Sequence, residues 1–155
     1  MKQNPIKNKN RRGWGTKKKK DIIFSIIGNN SNGLKAKKDS LFAVLRKFDS
    51  PSCITIQETK LRFPGTFKIP GYQIFEKTRM GQGGGLLTAI DINLSPMLIS
   101  SGSNEDEILV TQAQVGNHKI RIINAYGPQE TDAKGNIYKF WEEIEKEVID
   151  AKDAN

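Results

Sequence analysis

The sequence predicts an α/β domain, because short β-branched runs alternate with two stretches of helical periodicity. In the first stretch, from Leu34 to Phe48, apolar residues recur three or four positions apart between lysines and arginines. The second stretch, from Ile137 to Ala151, carries an apolar stripe opposite an acidic face. A chain of 155 residues that is 36% hydrophobic is long enough for one domain with a core and too short for two ordinary domains.

The strands and the first helix predict a βαβ-like opening followed by a β-rich middle. Residues 21–27 are apolar on both alternating faces, which is typical of a central strand covered on both sides. Residues 28–33 end that strand with turn-forming Gly, Asn and Ser, the helix follows, and the β-branched run 53–57 is the next strand. Further strands are expected at 72–75, 86–90, 97–100, 107–115 and 119–126, with a hairpin at Gly116-Asn117 between the last two.

The net charge of +8 is concentrated at the start of the chain. Residues 1–20 hold nine Lys or Arg and no acidic residue, which leaves 16 basic residues against 17 acidic ones over 21–155. We therefore divide the chain into a disordered basic tail, 1–20, and a partial domain, 21–155. The tail residues that could bind nucleic-acid phosphates are Arg11, Arg12, Lys17, Lys18, Lys19 and Lys20. A solvated leader without a role is the alternative.

The single cysteine and the single histidine exclude several kinds of site. One cysteine cannot form an internal disulfide or a multi-cysteine zinc site, and Cys53 lies in an apolar strand, where a small core residue is expected. His118 follows Gly116-Asn117, which places it at a hairpin rather than in a catalytic triad. No apolar stretch is long enough for a secretory signal or a membrane span, so we expect an intracellular protein, nuclear or cytoplasmic, without a membrane partner.

Two polar side chains at strand ends are candidates for a site. Glu58 directly follows the run 53–57, and Tyr126 ends the run 119–126, in which one face presents Ile120, Ile122, Asn124 and Tyr126. A strand end fixes a side chain while the loop beyond leaves room for a ligand, so Glu58 and Tyr126 could stand at one rim. The alternative for Glu58 is a surface residue. The glycine run 81–85 is interpreted as a strand entrance, because no Gly-Lys-Ser/Thr follows it.

Three motifs occur in order after predicted strands. They are Asn30-Ser31-Asn32-Gly33-Leu34, Gln57-Glu58-Thr59-Lys60 and Asn124-Ala125-Tyr126-Gly127-Pro128. Together with the glycine-led strand 83–90, they resemble the endonuclease/exonuclease/phosphatase superfamily, and more closely the apurinic-type endonuclease domain of non-LTR (LINE-like) retrotransposons.

The resemblance implies a DNase I-like fold, in which two β-sheets pack as a sandwich flanked by helices and the active site lies at one rim. It also implies hydrolysis of phosphodiester bonds in DNA, with Mg²⁺ or Mn²⁺ as cofactor. Glu58 would then bind the metal. Asn30 would belong to the metal site as well and orient the phosphate or the metal-bound water through its amide, and Tyr126 would donate its phenol to the phosphate or help to orient the nucleophile. Asn32 would lie in the outer shell of the metal.

The chain departs from this family after Tyr126. Family members carry a later Asp-x-Asn segment that supplies the base and a final Asp-His pair, whereas none of Asp132, Asp150 and Asp153 follows a predicted strand and the one histidine precedes Tyr126. We therefore expect the N-terminal half of such a domain, truncated, with little turnover and with a second chain as a possible complement. The alternatives are a non-catalytic nucleic-acid-binding fragment acting through the Lys-rich tail and a poorly folded product without function. Abasic DNA, a target sequence and other phosphate esters all stay open as substrates.

Overall fold

The computed structural model describes residues 23–79, 83–103, 107–128 and 134–153. These residues form two β-sheets packed face to face, with one helix on the outer side of each sheet. The predicted fold class, a two-sheet sandwich flanked by helices, is therefore confirmed.

The first sheet contains four described strands in the spatial order β1-β2-β4-β3. β1 and β2 run parallel, and β4 is antiparallel to both of its neighbours. The predicted βαβ-like opening is confirmed, because helix α1 connects the two parallel strands. The strand bounds are β1, Ile26–Asn30; β2, Cys53–Gln57; β3, Tyr72–Lys77; and β4, Leu86–Asp91.

Helix α1 spans Lys38–Leu45 and is shorter than the predicted 34–48. Leu34 is buried, and its backbone N–H is bound to the Thr59 carbonyl, so the chain first makes a 3-10 turn at Lys35–Lys37 before the α-helix begins. At the other end, Phe48 lies beyond the helix and is half exposed. Leu41 is the buried residue of the helix, and it packs on Ile54 and Ile56 of β2.

The expectation of a central first strand was wrong. β1 starts at Ile26 rather than at residue 21, and among the described strands it pairs with β2 alone. Ile26 is 52% exposed, so one face of this strand is not covered. The strand extends over Gly28, Asn29 and Asn30, although these residues have low strand propensity, because they pair in parallel with β2. Residues 21 and 22 lie outside the described part of the chain.

The second sheet contains three described strands in the order β5-β6-β7, all antiparallel. They span Met97–Ser100, Ile108–Val115 and His118–Ala125. Val115 pairs with His118, so the hairpin predicted at Gly116-Asn117 is confirmed, and His118 is the first residue of β7.

Helix α2 spans Lys134–Asp153 and covers the second sheet. Phe140 is its buried residue and packs on Ile108 and Val110. The predicted stripe is only partly buried, since Trp141 is 60% exposed and Val148 is 40% exposed. Of the stripe, Phe140 and Ile144 are the residues that pack on the second sheet.

The two sheets meet in an apolar cluster made of Cys53, Ile90, Ala113 and Ile122. Cys53 is fully buried, which confirms it as a small core residue, and burial raises the pKa of its thiol to about 12. It is therefore a poor nucleophile at neutral pH.

Several sequence predictions fall outside the described residues. The basic tail, with Arg11, Arg12 and Lys17 to Lys20, precedes residue 23, and Gly81 and Gln82 lie in the gap before residue 83. No described helix has the length and apolar character needed to cross a membrane.

Candidate active site

The parallel pairing of β1 with β2 brings two of the predicted site residues together. Asn30 is opposite Gln57 at the ends of the two strands, so Glu58 follows directly beside Asn30. The Asn30 side-chain amide donates a hydrogen bond from Nδ2 to Glu58 Oε1 at 3.0 Å. Asn30 is exposed and Glu58 is half-buried, which leaves the pair accessible to a ligand.

Tyr126 reaches the same carboxylate from the second sheet. It follows β7 directly, and its backbone N–H is bound to the Glu107 carbonyl at 2.9 Å. The Tyr126 phenol donates a hydrogen bond of 2.6 Å to Glu58 Oε1. Three strands from two sheets therefore place Asn30, Glu58 and Tyr126 in one hydrogen-bonded group, which we call the rim cluster.

The rim cluster favours the ionised form of Glu58. The hydrogen bond from Asn30 is the largest cause that lowers the pKa of this carboxyl, followed by the hydrogen bond from Tyr126. Burial opposes the shift, and the positive charges of Lys60 and then Lys37 add to it. The same contact raises the pKa of Tyr126, because the hydrogen bond to Glu58 stabilises the protonated phenol. At neutral pH the site therefore holds a carboxylate beside a neutral phenol.

The backbone of the segment 57–60 is tightly held on both sides. Glu58 and Lys60 have φ values of 51° and 53°, which are uncommon for residues other than glycine. On one side the 31–34 loop binds this segment, since Gly33 N–H donates to the Glu58 carbonyl and Ser31 Oγ contacts the same oxygen. On the other side, Lys60 N–H donates to the Gly84 carbonyl. Backbone strain of this kind persists only where the surroundings fix it.

Two glycines before β4 allow the close approach that the segment 57–60 needs. A Cβ on Gly85 would lie 2.6 Å from Thr59 Oγ1, and a Cβ on Gly84 would lie 1.9 Å from Glu107 Oε1. Both residues also have positive φ. The structure thus supports the interpretation of Gly84 and Gly85 as a strand entrance, and it explains why side chains are excluded there.

Glu107 is a buried carboxylate that sequence reasoning missed. Its side chain is 9% exposed, and its Oε1 accepts hydrogen bonds from the Gly85 N–H at 3.1 Å and from Arg79 at 3.4 Å. Its Oε2 is buried and, within the described parts of the chain, has no hydrogen-bond partner. In the sequence Glu107 is merely the first residue of a predicted strand, so nothing indicates that it supports the glycine entrance.

Asn32 does not contact Glu58 directly. Its side-chain oxygen accepts a hydrogen bond from Lys60 Nζ, and its backbone N–H donates to Asn30 Oδ1 at 3.2 Å. Both polar atoms of the Asn30 amide are therefore used, one by Glu58 and the other by Asn32. This arrangement orients Asn30 so that its NH₂ group, rather than its oxygen, faces the carboxylate.

The rim cluster offers a hard divalent cation one carboxylate oxygen, so waters and substrate oxygens would supply the other ligands. Asn30 and Tyr126 both donate to Oε1 of Glu58, so Oε2 is the carboxylate oxygen that a cation would use. The described segments contain no group of three or more His, Cys, Asp or Glu residues placed so that they could together hold a metal ion. Mg²⁺ is commonly bound through one or two carboxylates together with waters and substrate phosphates.

No protein-family model matches the chain, and no curated protein is similar to it by sequence. Solved structures do match. The D. rerio TDP2 complexed with a single-strand DNA product has a TM-score of 0.57 and 15% identity, and the match covers 83% of this chain and 55% of that one. The endonuclease domain of TRAS1, a telomere-specific non-LTR retrotransposon, has a TM-score of 0.55 and 18% identity, with 79% and 52% covered. An AP endonuclease from Archaeoglobus fulgidus has a TM-score of 0.51 and 19% identity, with 76% and 46% covered.

The chain has the fold of these solved structures, a DNase I-like sandwich of two β-sheets flanked by helices. The chain spans about half the length of the solved structures it matches, as the covered shares of 55% and 52% show. The fold accounts for the rim position of Glu58 and Tyr126, since both follow strands whose ends meet at one edge of the sandwich.

The residues after Tyr126 add no further group to the rim cluster within the described ranges. Asp153 is the last residue of α2 and not the start of a segment after a strand. His118 begins β7, at the opposite end of that strand from Tyr126.

Proposed function

We propose that this domain binds a divalent cation and a DNA phosphodiester at the rim cluster, and that the site serves metal-dependent hydrolysis of that phosphodiester. The observation that carries the proposal is the convergence of the Asn30 amide and the Tyr126 phenol on one carboxylate oxygen of Glu58. This convergence holds Glu58 ionised and leaves its other oxygen for a metal.

Each residue of the rim cluster has a distinct role in this proposal. Glu58 would hold Mg²⁺ or Mn²⁺, and the bound ion would supply Lewis-acid stabilisation of the phosphate charge. Tyr126 keeps its proton at neutral pH and donates it to Glu58 Oε1, so toward the substrate its phenol oxygen would act as an acceptor that orients the attacking water. Asn30 orients Glu58 through its NH₂ group, and Lys60, held by Asn32, adds positive charge beside the site.

DNA is the proposed partner on two grounds. Among proteins of this fold, the matching TDP2 structure holds a single-strand DNA product, and a matching Neisseria 3' phosphatase is bound to a product DNA hairpin. Within this chain, Lys37 and Lys60 flank Glu58, and the Lys-rich tail adds charge that attracts phosphates.

A second candidate function is binding of nucleic acid without turnover. It is favoured by the placement of the described candidates for a general base: the Glu107 side chain, near Tyr126, is buried against the Gly85 N–H, and His118 lies at the opposite end of β7. Loss of a general base typically costs two to four orders of magnitude in rate. We therefore expect slow hydrolysis from this chain alone, and a second chain that supplies such a group would raise the rate.

The test is nicking of supercoiled plasmid by the purified chain with Mg²⁺, beside the variant Glu58→Gln and a sample with chelator. Nicking that disappears in both controls supports the proposal. Nicking that is unchanged in Glu58→Gln would contradict it. If the folded chain shows no nicking, binding of a short duplex with and without Mg²⁺ separates the two candidates, because binding at the rim cluster needs both the metal and Glu58.

A further inference from the structure

The buried amide of Asn124 stands out in the core between the two sheets. Asn124 lies on the face of β7 that packs on the first sheet, two residues after Ile122, and it is 1% exposed. A buried amide is costly unless its polar atoms are hydrogen-bonded, so its partners decide what it does.

Those partners all belong to the first sheet. Asn124 Nδ2 donates to the Leu87 carbonyl at 2.9 Å and to the Ile56 carbonyl at 3.3 Å, and it also lies 3.3 Å from Thr88 Oγ1. Because backbone carbonyls can only accept, the orientation of this amide is determined. Its Oδ1 must then accept, and it does so from Gln57 Nε2 at 2.8 Å.

The hydrogen bond between Gln57 and Asn124 lies directly behind the rim cluster. Gln57 immediately precedes Glu58, and Asn124 lies two residues before Tyr126 on the same face of its strand. The two strands therefore meet twice in succession, first through the amide pair, in which Asn124 is 1% exposed, and then through the contact between the half-buried side chains of Tyr126 and Glu58.

Directional contacts are needed to set the distance between the Tyr126 phenol and the Glu58 carboxylate. The apolar cluster between the sheets holds them together, but hydrophobic packing has no preferred direction along a strand. A hydrogen bond to the buried amide of Asn124 competes little with water and has a defined geometry, so it can set that distance.

We infer that Gln57 and Asn124 form an inter-sheet amide clasp that positions Tyr126 against Glu58. Both are positioning residues, since neither reaches the carboxylate itself. An effect of the clasp on metal affinity rests on the proposed function. Its effect on the position of Tyr126 does not.

The test is the variant Gln57→Met, which removes the amide donor while keeping a similar length of side chain. The matched control is Gln73→Met, because the Gln73 amide is exposed on β3 and its 3.4 Å bond goes to a neighbouring carbonyl. The readout is the Cζ resonance of Tyr126 in ¹³C-tyrosine-labelled protein at neutral pH, assigned with Tyr126→Phe. Glu58→Gln marks the resonance position after loss of the carboxylate, and the 70% exposed Tyr138 serves as an internal reference.

We expect Gln57→Met to move the Tyr126 resonance in the direction set by Glu58→Gln, and Gln73→Met to leave it in place. A melting temperature lowered by Gln57→Met with an unchanged Tyr126 resonance would overturn the inference, because a merely structural role would give that result. If Gln57→Met does not fold, Gln57→Leu replaces it, and the same shift of the Tyr126 resonance is expected.

Affinity for Mn²⁺ in the presence of a short DNA duplex separates this inference from the proposed function. We expect about a tenfold loss in Gln57→Met, the size typical of removing an outer-shell partner of a metal ligand. If the Tyr126 resonance moves as expected while the wild-type protein binds no Mn²⁺, the clasp stands and the proposed function fails. If the wild-type protein binds Mn²⁺ while the Tyr126 resonance does not move in Gln57→Met, the inference of a clasp fails and the proposed function stands.

Discussion

Tyr126 and Glu58 are 68 residues apart in the chain, yet the Tyr126 phenol lies 2.6 Å from the Glu58 carboxylate. The contact joins the two sheets at their common rim, because Glu58 follows β2 and Tyr126 follows β7. Asn30 shares the same acceptor oxygen. The chemistry proposed for this chain depends on the two hydrogen bonds to that shared oxygen, because they keep the carboxylate ionised and fix its orientation.

The first prediction concerns the pKa of Glu58. Its lowered value means that the stabilisation from its charged form is present above the unfolded-state pKa and is lost as the pH falls through the folded-state pKa. Asn30→Ala removes the largest cause of the shift and should raise the Glu58 pKa more than Tyr126→Phe, which removes the second. Carboxyl ¹³C resonances followed against pH measure both. Asn29→Ala, one position earlier on the exposed strand, is the control and should leave the pKa unchanged.

The second prediction concerns the glycine entrance before β4. Gly85→Ala combines a strained positive φ, about 1–2 kcal/mol for an L-residue, with a clash against Thr59 that adds about 1–3 kcal/mol. Gly65→Ala has a similar φ of +76° but meets no atom within 4 Å, so it should show the backbone cost alone. Urea unfolding of the two variants gives the comparison. If both variants lose the same free energy of unfolding, the close approach of Thr59 to Gly85 does not contribute to the cost of Gly85→Ala.

The third prediction concerns the buried carboxylate of Glu107. Glu107→Gln keeps an oxygen for the Gly85 N–H and loses an ion pair with an Arg79 side chain that is 57% exposed, so the change should stay within about 1 kcal/mol. Glu107→Ala leaves the Gly85 N–H without its acceptor and should cost about 1–3 kcal/mol. The free energy of unfolding measures both variants, and a Gln variant as unstable as the Ala variant would show that the charge itself is required.

The fourth prediction separates the tail from the rim cluster. Deleting residues 1–20 removes Arg11, Arg12 and Lys17 to Lys20, and if all six contact phosphates the slope of log K against log salt should fall by about 5. Binding that depends on Mg²⁺ and on Glu58 should remain after the deletion. A deletion that abolishes both parts would favour a binding fragment that acts through its tail alone.

Much of the fold could be predicted from local patterns, because the deciding information is local. The strand at 97–100 and the hairpin at Gly116-Asn117 are found where alternation and turn residues predict them. The place of Glu58 and Tyr126 at one rim was expected as well, since both side chains follow strands and the order of the motifs resembles one fold.

The remaining features depend on which elements meet in space. The apolar run 21–27 predicts burial on both faces, but burial requires a neighbour on each side, and β1 has a partner on one side among the described strands. Alternation along β7 placed Asn124 on the inner face, yet its bonds to Leu87 and Ile56 depend on how the two sheets pack. The buried state of Glu107 likewise requires Gly84 and Gly85 beside it, more than 20 residues earlier in the chain.

The most direct test of the central claim is Mn²⁺ binding followed by electron paramagnetic resonance in the presence of a short DNA duplex. The wild-type chain, Glu58→Gln and Glu145→Gln are compared, since Glu145 is an exposed residue of α2 that lies on the other side of the second sheet. We predict that Glu58→Gln weakens Mn²⁺ binding by about tenfold or more, while Glu145→Gln matches the wild type. Equal Mn²⁺ affinity in all three proteins would contradict the assignment of Glu58 as the metal ligand.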